Sequence, residues 1–177
     1  MDGDERLRLF CALLLPDETV ERLVAWQPRE LPGGRIVTAS NLHITLAFLG
    51  SRPAAELPAI ARTLRGVAAG ASPPPLHVHG YRETRSVGML TFEDDGGGAT
   101  ALAGRLHGAL EELGVYRREA RPWLPHVTVL RFRERPRLRP RLPDLGEVVP
   151  SEAAVFISRL RPGGAEYESV ETVALGG

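Results

Sequence analysis

Asn41-Leu42-His43-Ile44-Thr45-Leu46-Ala47-Phe48-Leu49-Gly50 decides how this chain is read, because its centre recurs in Pro125-His126-Val127-Thr128-Val129-Leu130-Arg131-Phe132. Both copies read His-x-Thr-x with an aliphatic residue at each x. Both lie in β-branched and aliphatic runs bounded by turn residues, the composition of a strand. A strand sends residues i and i+2 to one face. His43 and Thr45 therefore share a face, about 7 Å apart at the backbone. Ile44, Leu46 and Phe48 are expected to point the other way, into a core. His126 and Thr128 repeat the polar pair, with Val127 and Val129 opposite.

One His beside one Thr on a strand is ordinarily a half-buried pair with a packing role. Two copies, at 43 and 126, with the same division of faces ask for a shared cause. If the two strands face each other across a cleft, the site holds two imidazoles and two hydroxyls. Imidazoles titrate near neutral pH and can serve as general acid and general base in one turnover. Hydroxyls on either side can hydrogen-bond an anion such as phosphate. In-line displacement at phosphorus needs those parts: a base for the attacking water and an acid for the leaving oxygen opposite it.

With these motifs the chain resembles the 2H phosphoesterases, in particular the RNA 2',3'-cyclic phosphodiesterases, also called LigT-like 2'-5' RNA ligases. Arg8-Leu9-Phe10-Cys11-Ala12-Leu13 resembles that family's opening strand, and Asn41–Gly50 its first motif. Pro125–Arg131 resembles its second motif, including the Arg three residues after the Thr. Ser158-Arg159-Leu160 through Gly163, Gly164 and Tyr167 resembles its closing element. The resemblance implies an α+β fold with two antiparallel sheets, helices outside and a central cleft. Residues 1–177 would form a single domain of two pseudo-symmetric sub-lobes, one motif in each. The implied activity is hydrolysis of a terminal 2',3'-cyclic phosphate on RNA to a 2'-phosphate, with no metal or cofactor. By the same resemblance His43 donates a proton to the departing 3'-oxygen and His126 takes one from water. Thr45 and Thr128 hold the phosphate oxygens, and Arg131 contacts the substrate. From the residues alone the two histidines are interchangeable. Strand alternation also sets Arg131 opposite Thr128 unless a bulge intervenes.

The formal net charge is zero, so attraction to nucleic acid must be local. All 22 basic residues are Arg. Without Lys there can be no lysyl-nucleotide intermediate, Schiff base or phosphate-loop lysine, which excludes ATP-dependent ligation of the lysyl-adenylate kind. The lone cysteine, Cys11, lies in an apolar run and reads as a buried, inert thiol. No run of about 18 apolar residues is present. The opening before Arg6 is acidic and unlike a signal peptide. A cytoplasmic protein without a membrane contact or an obligate protein partner is the expectation.

In chain order, Arg6–Leu15 reads as a buried strand. A helix follows from Asp17 as N-cap, closed by Pro28 and the Leu31-Pro32-Gly33-Gly34 cluster. Arg35–Thr38 reads as a short strand, and Ser51–Pro53 as a turn. A second helix carries Leu57, Ile60, Ala61, Leu64 and Val67 and ends at Gly70. Strands are expected at 76–82 and 87–92, then an acidic turn at 93–98. A third helix is expected at 101–114, with His107 on its surface. The last two strands are 153–160 and 167–175. His77 and His79 read as surface residues, because their sequence neighbourhood lacks the carboxylates of a metal site. Arg occupies every odd position from 131 to 141; extended, the run would form a cationic arm for RNA phosphates. Tyr81, Phe92, Trp123 and Tyr167 are the aromatics considered for stacking on a base, core packing being the ordinary role for most of them.

The same motifs leave three other functions open. Reversal would make an ATP-independent 2'-5' RNA ligase. A vestigial site would make a non-catalytic RNA binder. Histidines used as ligands would make a metal-dependent nuclease.

Overall fold

The computed structural model describes residues 5–176; residues 1–4 of the acidic opening lie outside them. Strand β1 (Arg6–Leu14) sorts its side chains by parity. Leu9, Cys11 and Leu13 join the main core, and Phe10 and Ala12 join a smaller cluster with Ala154 and Phe156. Both faces are buried, as the unbroken apolar run requires. Burial pushes the Cys11 thiol up to about 12, so it stays a thiol, as read from the sequence.

Helix α1 (Asp17–Glu30) departs from expectation at its N-cap and at Pro28. Pro16 stands at the N-cap, and Asp17 is the first helical residue, where its charge suits the positive end of the helix dipole. The expected Leu31-Pro32-Gly33-Gly34 cluster does end the helix, after Glu30, while Pro28 lies inside the last turn. It removes one backbone donor, but Leu31 N still bonds to the Gln27 carbonyl at 2.9 Å. Strand β2 (Arg35–Ile36) is two residues long, and β3 (His43–Pro53) runs on through the expected turn at 51–53 to pair with the start of β1. Helix α2 (Leu57–Ala69) carries Pro58 in its first turn and is capped by Gly70, as expected.

Strands β4 (Leu76–Glu83) and β5 (Val87–Asp94) form a hairpin. Helix α3 (Gly98–Leu113) begins earlier than expected because the Asp94 carboxylate accepts from Ala99 N (3.1 Å) and Thr100 N (2.7 Å). Gly114 closes it in the left-handed conformation, at φ 82°. Strand β6 (His126–Arg131) carries the second motif. Strands β7 (Glu152–Arg161) and β8 (Gly164–Ala174) close the chain as a hairpin.

The strands run in the order β4-β5-β6-β3-β1-β7-β8, all neighbours antiparallel, with β2 also pairing to β6. The two sheets of the α+β expectation are thus two wings of one sheet. They are joined where Ile44 of β3 pairs with Val127 of β6. Beyond that point β2 takes the same side of β6. All three helices bury Leu23, Trp26, Ile60, Leu64, Leu102, Leu106 and their neighbours in one core with Ile44, Leu46, Val127 and Val129. The opposite face of the junction is left for the cleft.

Candidate active site

The pairing of Ile44 with Val127 sets the site. One residue on either side in an antiparallel register, Thr45 comes against His126 and His43 against Thr128. Cβ atoms of directly opposed residues lie about 4.5–5.5 Å apart. Ile44 and Val127 themselves are fully buried on the core side. The four polar side chains line an open cleft of about 180 Å³, together with Phe10, Phe48, Arg131, Ser158 and Tyr167. All five residues singled out in the sequence therefore meet in one place.

Arg131 reaches the cleft through a bulge. In the β5–β6 ladder Gly88 pairs with Leu130 and Met89 with Thr128, so Val129 is an extra residue. A bulge shifts the alternation by one, and Arg131 lands on the face of Thr128. The first motif does the same. Cys11 pairs with Ala47 and Ala12 with Thr45, which makes Leu46 the extra residue. Phe48 is consequently 51% exposed in the cleft and does not face the core as its parity implied. Phe48 stands three residues after Thr45, as Arg131 stands three after Thr128. That matched spacing was the available signal for Phe48. The Arg8 guanidinium lies 5.5 Å from the centre of its ring.

The two imidazoles sit differently. His43 is packed among aromatic rings, with Phe10 stacked at 4.9 Å, Tyr167 edge-on at 5.4 Å and Phe156 at 5.8 Å. Its Nε2 lies 3.1 Å from the Thr45 hydroxyl. Its buried Nδ1 has no well-formed hydrogen bond, although the Asn41 backbone carbonyl is close enough to favour the proton. Burial dominates and pulls the His43 pKa down to about 4, helped by the charges of His126 and Arg131. His126 instead points its Nδ1 at the Leu124 carbonyl, 2.9 Å away. A carbonyl can only accept, so Nδ1 carries the hydrogen and neutral His126 presents a free Nε2 lone pair. Arg131 Nη2 reaches the Tyr167 hydroxyl at 3.4 Å.

His107 is not on the helix surface: it is 6% exposed, and its Nε2 lies 2.7 Å from the Leu46 carbonyl. The apolar stripe of α3 is wide enough to bury both Leu106 and His107, because α3 packs on α2 and β3 together. His77 and His79 do meet carboxylates, Asp95 and Glu93, which the fold brings in from β5 and the turn after it. Each imidazole takes one acid, and among the described residues no three His, Cys, Asp or Glu gather as a metal site needs. The arginine run is not extended beyond Arg131. Glu83, whose side chain is 2% exposed, accepts from Arg135 Nε (3.2 Å), Arg137 N (2.8 Å) and Leu138 N (2.9 Å). Arg137 adopts φ 57° around it, which breaks the alternation that would align six guanidinium groups. Trp123 donates Nε1 to the Thr45 carbonyl at 3.0 Å, Phe92 is buried in the core, and Tyr81 bonds to Glu83. Of the four aromatics considered for stacking, only Tyr167 lines the cleft.

Residues 15–164 match the model of the 2'-5' RNA ligase superfamily. The chain is 33% identical over 186 residues to the RNA 2',3'-cyclic phosphodiesterase of Thermus thermophilus, covering 97% of this chain and 91% of that protein. To the protein of the same name from Escherichia coli it is 33% identical over 129 residues, covering 72% and 73%. Among solved structures, E. coli LigT complexed with 3'-AMP superposes with a TM-score of 0.83 at 27% identity, covering 98% of this chain and all of that one. TT0787 of T. thermophilus superposes with a TM-score of 0.80 at 31% identity, covering 97% and 99%.

Proposed function

Because the chain belongs to the 2'-5' RNA ligase superfamily, we propose that it is an RNA 2',3'-cyclic phosphodiesterase. It opens a terminal 2',3'-cyclic phosphate to a 2'-phosphate by acid–base catalysis between His126 and His43. The observation that carries this is the Ile44–Val127 pairing, which turns two imidazoles and two hydroxyls into one cleft.

The free Nε2 of His126 takes a proton from water as the water oxygen bonds to phosphorus. The P–O3' bond breaks, and His43 delivers its proton to the departing 3'-oxygen. His126 then holds the proton taken from water, the proton of His43 has gone to the new 3'-hydroxyl, and exchange with solvent restores both imidazoles. Thr45 and Thr128 donate hydrogen bonds to the nonbridging oxygens, and the Arg131 guanidinium balances their growing charge. Phe48 offers an exposed ring to the terminal base, which stacks without regard to its identity.

His43 must be protonated to act as the acid, yet burial, helped by the charge of Arg131, keeps it neutral in the empty cleft. The bound phosphate carries a negative charge into that space and offsets Arg131. Substrate binding is therefore coupled to proton uptake at His43. The mechanism calls on no metal. We read the chain as one domain of two related halves, β1–α1–β3 and β5–α3–β6; the matched bulges at Leu46 and Val129 support this. We place its RNA substrates in the cytoplasm; among the described residues no helix is long and apolar enough to cross a membrane.

The deciding experiment is turnover of a nucleoside 2',3'-cyclic phosphate by chelator-treated protein, with the product isomer identified. A 2'-phosphate is expected at an undiminished rate. No turnover, loss of turnover with chelator, or a 3'-phosphate product overturns the proposal.

A further inference from the structure

The two bulges are held from inside the core by side chains of the opposite halves. Gln27 of α1 is 1% exposed and gives both amide hydrogens away: to the Val37 carbonyl at 2.9 Å and the Val129 carbonyl at 3.0 Å. Val129 is the extra residue that turns Arg131 into the cleft. His107 of α3 directs Nε2 to the carbonyl of Leu46, the extra residue that turns Phe48 into it. Helix α1 lies between β1 and β3 in the chain, yet Gln27 reaches the bulge of β6. Helix α3 lies between β5 and β6, yet His107 reaches the bulge of β3.

We propose that Gln27 and His107 are positioning residues that hold Arg131 and Phe48 in the cleft, each acting across the junction between the halves. An amide or an imidazole buried without a hydrogen bond costs roughly 1–3 kcal/mol, so a purely packing role would be served better by a leucine or methionine. Each side chain instead bonds to the carbonyl of the extra residue that sets the phase of the strand beyond it, Gln27 bonding to the Val37 carbonyl as well. Slipping the alternation by one residue would send Arg131 or Phe48 to the other face. The inference rests on the roles given above to Arg131 with phosphate and Phe48 with the base. It adds a division of labour, with Gln27 serving the phosphate and His107 serving the base.

The test is calorimetric binding of two probes, inorganic phosphate and adenosine 2'-monophosphate, to the wild-type chain, Gln27→Met, His107→Leu and His107→Gln. Gln27→Met is expected to weaken both probes by a similar factor, about tenfold or more, because both need Arg131. His107→Leu is expected to reduce the preference for nucleotide over phosphate about tenfold, through the loss of stacking. His107→Gln, which restores a donor at the place of Nε2, is expected to recover most of that preference. The proposal is overturned if folded Gln27→Met and His107→Leu bind both probes within about twofold of wild type. It is equally overturned if His107→Leu loses the two probes in parallel, or if His107→Gln behaves as His107→Leu does. Should Gln27→Met fail to fold, the His107 pair decides alone. A wild-type chain that binds neither probe removes the phosphodiesterase proposal and this one with it, whereas unchanged variants of a binding wild type remove only this one.

Discussion

His126 Nδ1 donates to the backbone carbonyl of Leu124 at 2.9 Å, two residues upstream on the approach to the same strand. That bond breaks the symmetry of the two motifs. It leaves Nε2 of His126 unprotonated whenever the ring is neutral, which is the state a base needs. An asparagine at 126 keeps a donor for Leu124 but has no base. His126→Asn is therefore expected to keep its fold and lose at least about a hundredfold in turnover, the usual contribution of a general base. A cyclic-phosphate assay beside a thermal melt checks it; a near-normal rate would remove His126 from the mechanism.

Binding of phosphate should draw a proton into the cleft. His43 is depressed to about 4, first by burial and then by its cationic neighbours. An anion bound between them raises it, so affinity for a nucleotide 2'-monophosphate should increase as pH falls toward that value. Imidazole NMR with and without the nucleotide reads the shift directly. An unchanged His43 titration on saturation counts against its role as acid.

The same group makes folding sensitive to acid. Unfolded, His43 takes up a proton near its ordinary value of 6.5; folded, it resists until about 4. Its contribution is intact above pH 6.5 and fades as pH falls to about 4, by on the order of 3 kcal/mol in all. His43→Gln, which cannot titrate, should show a flatter fall in melting temperature over that window. It should also lose turnover by at least about a hundredfold.

Arg131 and Phe48 occupy matched positions with opposite chemistry, so their substitutions should separate in kinetics. Arg131→Lys keeps the charge and loses the planar fork, and is expected to lower kcat about tenfold or more. Phe48→Leu removes the stacking ring and should act mainly on KM, by about tenfold. Steady-state rates with a nucleoside cyclic phosphate distinguish them, and equal effects on both constants in both variants would contradict the assignment.

Gly34 allows β2 to lie against β6. A Cβ at this position would come within 2.5 Å of the Arg131 carbonyl, and the pairing of Arg35 with Arg131 leaves little room to yield. Gly34→Ala is expected to cost about 1–3 kcal/mol of stability and to displace Arg131, lowering activity in the surviving folded protein. Denaturant unfolding measures the first effect and the cyclic-phosphate assay the second.

Much of the site was legible in the sequence because the relevant period is short. His43 with Thr45, and His126 with Thr128, are fixed to one face by the two-residue repeat of any strand. Ile44 and Val127 are sent to the other face by the same rule, and both are fully buried. The apolar stripe of α2, with its Gly70 cap, was equally local. His107 was misplaced because its depth depends on what packs against α3, and Pro28, expected to help close α1, is tolerated inside its last turn.

By itself, then, the amino-acid order determined the elements, the two polar pairs and the apolar faces behind them, all set by interactions within a few residues. The tertiary structure decided which strands became neighbours, and with that the bulges at Leu46 and Val129, the entry of Phe48 and Arg131 into the cleft, and the unequal surroundings of the two histidines. A bulge is a mismatch in count between two paired strands, and burial depends on residues distant in sequence. Neither is a property of one segment read alone.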